Sequence, residues 1–169
     1  MTGFESIQPS AEGVAQQLAS LLLQQHWLMA TAESCTGGMI AAACTDLSGS
    51  SAWFERGFVT YSNAAKMESL GVAASVLAEQ GAVSEPVARA MAEGALAHSR
   101  AQVAVAVTGV AGPTGGSSAK PVGTVWFGFA TPRGVVSETR RFDGDRAAVR
   151  QATVQHALQR LVELVSAQA

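Results

Sequence analysis

Apolar residues first recur at helical spacing. Val14, Leu18, Leu21 and Leu22 share one face between Ser10 and His26, and Ser10 after Pro9 can cap the start, so an amphipathic helix is expected there. Trp27 to Ala32 is a short apolar run that stops at Glu33-Ser34-Cys35-Thr36-Gly37-Gly38, after which Met39 to Cys44 resumes as Ala-rich helix. The expected order is strand, tight turn, helix. Val59 to Tyr61, preceded by Phe54 and Phe58, reads as a second strand; a helix from Asn63 to Leu70 follows and Gly71 ends it. Ala73 to Gln80 reads as a further short helix. Ser84-Glu85-Pro86 then offers a cap, an early acidic residue and a first-turn proline. The helix they open has Val87, Met91, Ala95 and Leu96 as its stripe and runs to about Ser99.

Alternation replaces the helical period at Val103, Val105 and Val107, and this strand empties into the glycine-rich run Thr108 to Gly116. Thr124 to Ala130 and Val135 to Phe142 flank Thr131-Pro132-Arg133-Gly134, the residues of an antiparallel hairpin. Asp143-Gly144-Asp145 can cap a last helix whose apolar face is Val154, Leu158, Leu161 and Val165. Helices and strands alternate over the first two thirds and a hairpin plus helix closes the chain. The expectation is an α/β fold with a mixed sheet covered on both faces. No repeat, linker or composition shift divides residues 1–169, so one domain is expected.

Composition narrows the classes. Hydrophobic residues make up 48% and charged residues 14% of the 169, which is globular and not disordered. Lys plus Arg number 11 against 13 Asp plus Glu, net charge -2, with the arginines scattered; a nucleic-acid partner is not expected. Two cysteines are too few for a disulfide framework, and Met1 to Glu5 carries no cationic stretch leading into an apolar run, so a cytoplasmic location is expected. The apolar stretches at 102–107 and 122–130 fall well short of the roughly 20 residues of a spanning helix, so no membrane role is expected.

A serine on a strand-to-helix turn is exposed while helix N-terminal amides point at the same spot, which makes Ser34 a candidate nucleophile and the amides of Thr36 to Gly38 a candidate oxyanion cradle. Gly37 and Gly38 would let backbone approach a ligand. The competing reading is structural: Ser34 or Thr36 simply caps the helix. Serine needs a base, and His26, His98 and His156 all fall on helices away from the glycine-rich turns. Lysine occurs only at Lys66 and Lys120, each beside a suspected segment. A desolvated lysine can lose its proton where arginine cannot, so Lys66 is the candidate base, with a solvated helix residue as the competing reading that its position alone favours. Tyr61, the one tyrosine, could relay a proton or donate to an oxyanion, or be a half-buried strand aromatic.

The run Thr108-Gly109-Val110-Ala111-Gly112-Pro113-Thr114-Gly115-Gly116 lacks the Gly-Lys-Ser/Thr of a Walker loop and the dinucleotide pattern, leaving a loop dense in N–H groups that suits a phosphate, an oxyanion or a sharp reversal. Lys120 could reach a ligand from its far end or be solvated. Arg146 and Arg150, four apart at the start of the last helix, could grip a phosphate or pair with Asp143 and Asp145. Cys35 reads as a small buried cysteine.

Glu33-Ser-Cys-Thr-Gly-Gly38, Tyr61-Ser-Asn-x-x-Lys66, Val83-Ser-Glu85, Thr108 to Gly116, Lys120-Pro-Val-Gly-Thr124 and Gly144-Asp-Arg146 with Arg150 together resemble the CinA C-terminal domain family. These motifs span nearly the whole chain, and the resemblance is to the stand-alone form. It implies a three-layer α/β/α domain that deamidates nicotinamide mononucleotide, with Ser34 as nucleophile, Lys66 as base, and Tyr61 and Thr108 in support. The nucleotide substrate is then expected against Glu33, Cys35, Thr36, Gly37, Gly38, Gly109, Ala111, Gly112, Gly115, Gly116, Arg146 and Arg150, with either the 109–116 loop or Arg146 and Arg150 as candidates for its phosphate. Such acyl transfer requires no metal or cofactor. A homodimer or larger assembly is expected. The rival functions are a non-catalytic nucleotide-binding or interaction module of the same fold, and a Ser-Lys amidase for another small amide.

Overall fold

The computed structural model describes residues 9–169. The opening residues, on which the reading of no leader rests, lie outside that range. Five strands form one sheet: β1 (Met29–Glu33), β2 (Phe54–Val59), β3 (Val103–Gly109), β4 (Thr124–Thr131) and β5 (Gly134–Arg141), in the order β2-β1-β3-β4-β5. β2, β1 and β3 are parallel, and β4 and β5 join as antiparallel neighbours, so the sheet is mixed as expected. Helices α1 (Ala11–Gln25), α2 (Met39–Thr45) and α6 (Arg146–Ser166) cover one face; α3 (Asn63–Leu70), α4 (Ala74–Gln80) and α5 (Glu85–Ala97) cover the other. The result is a three-layer α/β/α sandwich.

The alternation in β3 separates two cores rather than inside from outside. Val103, Val105 and Val107 point into the cluster under α1 and α6, whereas Ala104 and Ala106 face α5, all of them buried. β1 repeats the device, with Ala30 and Ala32 towards α5. Small residues let that helix lie close. A Cβ on Gly128 would meet the Ala88 carbonyl oxygen at 2.3 Å, and one on Gly94 would meet that of Leu70 at 2.1 Å. The face towards α1 and α6 is filled by large side chains instead, among them Leu18, Leu22, Phe127, Phe129, Leu158 and Leu161.

Helix ends follow the capping chemistry at three sites: Ser10 accepts from the Gly13 amide, Ser62 from Ala65 and Asp145 from Ala148. Ser84 departs from expectation. It occupies the cap position of α5, but its hydroxyl donates to the Gly81 carbonyl and takes no helix amide. The second strand also ends early, at Val59, so Tyr61 lies in the loop that leads into α3. No helix among the described residues is long and apolar enough to cross a membrane.

Connectivity locates the crevice. From β1 the chain passes through α2 on one face to β2, then returns through α3, α4 and α5 on the other face to β3, on the far side of β1. The connections leaving the carboxyl ends of β1 and β3 therefore diverge, the topological switch point at which open α/β sheets bind ligands.

Candidate active site

Ser34 is the first residue past β1. Glu33 pairs with Val107, and the Ser34 amide donates to the Val107 carbonyl at 3.0 Å, which fixes the serine at the mouth of the switch point. Lys66 approaches from α3, whose start is held by the Ser62 cap and whose end is closed by Gly71. Its Nζ lies 3.0 Å from Ser34 Oγ and donates to the Thr60 carbonyl at 2.8 Å. At 1% exposure the amine has almost no water, and this desolvation pulls its pKa below the ordinary 10.5, with the Coulombic influence of the Cys35 side chain acting in the opposite direction. A neutral amine here can keep its N–H on Thr60 while its lone pair takes the serine proton. The three histidines stay away from the pair: none lines the cavity around Ser34, and His156 pairs with Glu138 on the far face.

The turn after Ser34 is built differently from the capped start that sequence suggests. Gly38, with φ of +106°, is the cap residue of α2 and contributes no side chain. The capping group is Glu33, fully buried, whose carboxylate accepts from the Ile40 amide at 2.8 Å, the Ala41 amide at 3.0 Å and the Thr36 hydroxyl at 2.6 Å. Glu33 is thus turned beneath α2, away from the crevice. Within the turn the Gly37 amide donates to the Ser34 carbonyl at 3.0 Å, which removes one of the three amides expected to face an oxyanion. The amides of Thr36 and Gly38 donate to no backbone carbonyl among the described residues. Arg150 reaches over from α6 and donates to the Cys35 carbonyl from Nε at 3.1 Å and to the Thr36 carbonyl from a terminal nitrogen at 3.2 Å. Burial pushes the Cys35 thiol up to about 11, so beside a desolvated lysine it is a poor competitor for the nucleophile's role.

A cavity of about 220 Å³ opens in front of Ser34 and Lys66, walled by Tyr61, Asn63, Ala82 and Val83 on one side and by Gly109, Ala111 and Arg146 on the other. A wider cleft of about 640 Å³ adjoins it, sharing Ala111 and Arg146 and adding Pro113, Val122, Arg150 and the first turn of α6. Arg146 stands at the boundary and donates to the Gly112 carbonyl at 2.9 Å and to the Tyr61 hydroxyl at 3.0 Å. Tyr61 itself is 63% exposed, at the rim.

Several expected site residues sit elsewhere. Thr108 lies beside Ser34 in register, but its hydroxyl donates to the Ala82 carbonyl at 2.8 Å and lines neither cavity. Gly112, Gly115 and Gly116 shape the loop: a Cβ on Gly112 would come within 2.5 Å of Val122, and one on Gly116 within 2.8 Å of the Val122 amide. None of these three lines a cavity. Lys120 donates to the Gln80 carbonyl at 2.7 Å in a separate cleft. Sequence reasoning did not single out Asn63, Ala82 or the Thr60 carbonyl. Asn63 follows Tyr61 and Ser62 and could have been proposed from the motif. The other two act through backbone and leave no side-chain signal. No cluster of three or more metal-ligating side chains occurs among the described residues.

Comparison with known proteins adds kinship. The model of the CinA C-terminal domain matches residues 11–165. The chain is 54% identical over 149 residues to the nicotinamide-nucleotide amidohydrolase PncC of Escherichia coli strain K12, covering 88% of this chain and 90% of that protein. It is 55% identical over 151 residues to the protein of the same name from Pseudomonas putida, covering 89% and 94%. Among solved structures, the competence/damage inducible protein CihA from Agrobacterium tumefaciens superposes with a TM-score of 0.89 at 47% identity, covering 94% of this chain and 98% of that one.

Proposed function

The chain belongs to the CinA C-terminal domain family, and from that premise we propose that it is an amidohydrolase that converts nicotinamide mononucleotide to nicotinate mononucleotide and ammonia, through an acyl-enzyme on Ser34. The observation that carries the mechanism is the 3.0 Å approach of Lys66 Nζ to Ser34 Oγ at the floor of a cavity, with the amine desolvated. Neutral Lys66 accepts the Ser34 proton as Oγ bonds to the carboxamide carbon. The carbonyl π electrons move to oxygen, and the tetrahedral oxyanion is met by free amides of the turn. Lys66 then returns the proton to the departing nitrogen, ammonia leaves, and an ester remains on Ser34. Water, deprotonated by Lys66, attacks that ester; its collapse frees the nicotinate carboxylate and restores the hydroxyl.

The cavities suit the substrate's two ends. The inner one is of a size for the pyridinium and its amide, and the wider cleft for ribose and phosphate, with Arg146 between them at the N-terminus of α6. Tyr61, held by Arg146, is placed to cover the ring from the rim. The same reading has one domain, located in the cytoplasm and assembled as a homodimer or larger, which analytical ultracentrifugation measures. The test of function is ammonia release from nicotinamide mononucleotide by the pure protein. Release that Ser34→Ala and Lys66→Ala each abolish is the expected result. No release from the wild type, with binding retained, would make this a nucleotide-binding module.

A further inference from the structure

In a trans peptide the carbonyl and the following N–H point in opposite directions, so whatever grips a carbonyl also aims the amide behind it. Among the described residues the one cis bond is Gly112-Pro113, so the peptides of the Ser34 turn are all trans. Arg150 grips two successive carbonyls there, those of Cys35 and Thr36. Behind the Thr36 carbonyl is the Gly37 amide, already donated to Ser34. Behind the Cys35 carbonyl is the Thr36 amide, which has no partner among the described residues. Gly37 supplies the turn's backbone: its φ of +59° is one that glycine adopts without strain, while a Cβ there would make only ordinary contact with the guanidinium at 3.5 Å. On the opposite side the Glu33 carboxylate fixes the Thr36 hydroxyl and the first amides of α2.

We propose that Arg150 is a positioning residue: by holding the Cys35 and Thr36 carbonyls it aims the Thr36 amide at the oxyanion formed at Ser34, rather than gripping the substrate's phosphate. A positive charge on a carbonyl also polarises the N–H of the same peptide, so the amide donates more strongly than it would alone. Lysine cannot replace it, because a point charge does not span two carbonyls as a planar fork does. The inference rests on the amidohydrolase reading above and extends it to one backbone donor.

The experiment measures deamidation of nicotinamide mononucleotide and of nicotinamide riboside by wild type, Arg150→Lys, Arg150→Met and, for contrast, Arg146→Met. Loss of one oxyanion donor lowers kcat by about 10²-fold or more. For both Arg150 variants that loss is expected on both substrates, with KM within about threefold of wild type, and added guanidinium ion should recover part of the rate of Arg150→Met. Arg146→Met should instead raise KM for the phosphorylated substrate. The amide resonance of Thr36 should shift in Arg150→Lys while those of the α6 residues beyond 154 stay in place. A rise in KM confined to the phosphorylated substrate, with kcat unchanged, would overturn the proposal and make Arg150 a phosphate ligand. So would a normal kcat with unmoved Thr36 resonances. If Arg150→Met does not fold, the lysine variant and its resonances decide. An inactive wild type overturns the amidohydrolase reading itself, and this inference with it.

Discussion

Two glycine-rich bends, each containing a Thr-Gly-Gly triplet, follow adjacent parallel strands, and they are held by different forces. The bend after β1, residues 33–38, is fixed by charge: a buried carboxylate takes two helix amides and a hydroxyl from below, and a guanidinium takes two carbonyls from the side. The bend after β3, residues 108–116, has a single such grip, Arg146 on the Gly112 carbonyl, and is otherwise fixed by shape, with Gly112 and Gly116 pressed against Val122. Charge-assisted bonds set direction, which suits a bend that on the proposed mechanism aims a hydroxyl and an amide. Close packing sets volume, which suits a wall.

The comparison breaks most decisively at its chemical end. Lys66→Met should lower kcat/KM at least about 10³-fold, because reagents that act as a unit fail together; steady-state ammonia release measures it. Glu33→Ala should come next, since it leaves two helix amides and the Thr36 hydroxyl buried without their acceptor. A loss of about 2–4 kcal/mol in urea unfolding, together with most of the activity, is expected. At the shape end, Gly112→Val should cost about 1–3 kcal/mol from overpacking against Val122 and raise KM more than it lowers kcat. The paired triplets give the sharpest contrast. Thr36→Ala forfeits the hydroxyl's bond to Glu33, worth about 1–2 kcal/mol, and should slow turnover, whereas Thr114→Ala should match wild type in both stability and rate. Equal effects at the two threonines would erase the distinction drawn here.

The pH dependence probes the same contrast through Lys66. Because its folded pKa lies below the ordinary 10.5, the folded state binds fewer protons than the unfolded state between those two values, and stability rises with pH across that window. Below the folded pKa the desolvated ammonium is a standing cost. Thermal unfolding of the wild type against Lys66→Met, from neutral pH to about 10, should show the rise only in the wild type. The kcat/KM of the wild type should climb with pH as the amine becomes neutral and level off before an ordinary lysine would.

Much of this was legible from residues. The element order follows from periodicity and from punctuation by glycine, proline and capping side chains. The pairing of Ser34 with Lys66 was foreshadowed by scarcity, since only two lysines occur and the histidines fall outside the glycine-rich bends. What stayed hidden is where a polar group points when its partner is backbone. Glu33 ends a strand beside Ser34 and reads as a substrate contact, yet α2 lies over it and presents amides that no side-chain pattern announces. Thr108 reads as a supporting group from its motif; its hydroxyl goes to a carbonyl 26 positions earlier in the chain, in a loop whose path depends on how α5 packs. Gly115 and Gly116 resemble Gly37 and Gly38 in sequence, and only the third dimension separates a reactive bend from its neighbour.

The thin side of the sheet has a bearing on how this pocket could be reshaped. Ala82 and Val83 form part of its wall and immediately precede α5, the helix that rests on alanines and bare glycine backbone. Single methyl groups added at Ala104 or Ala106 would act like shims beneath that helix, moving the far wall of the pocket by fractions of an ångström without touching any reactive group. Substrate range in this enzyme is therefore open to tuning from underneath, through residues that never meet the substrate.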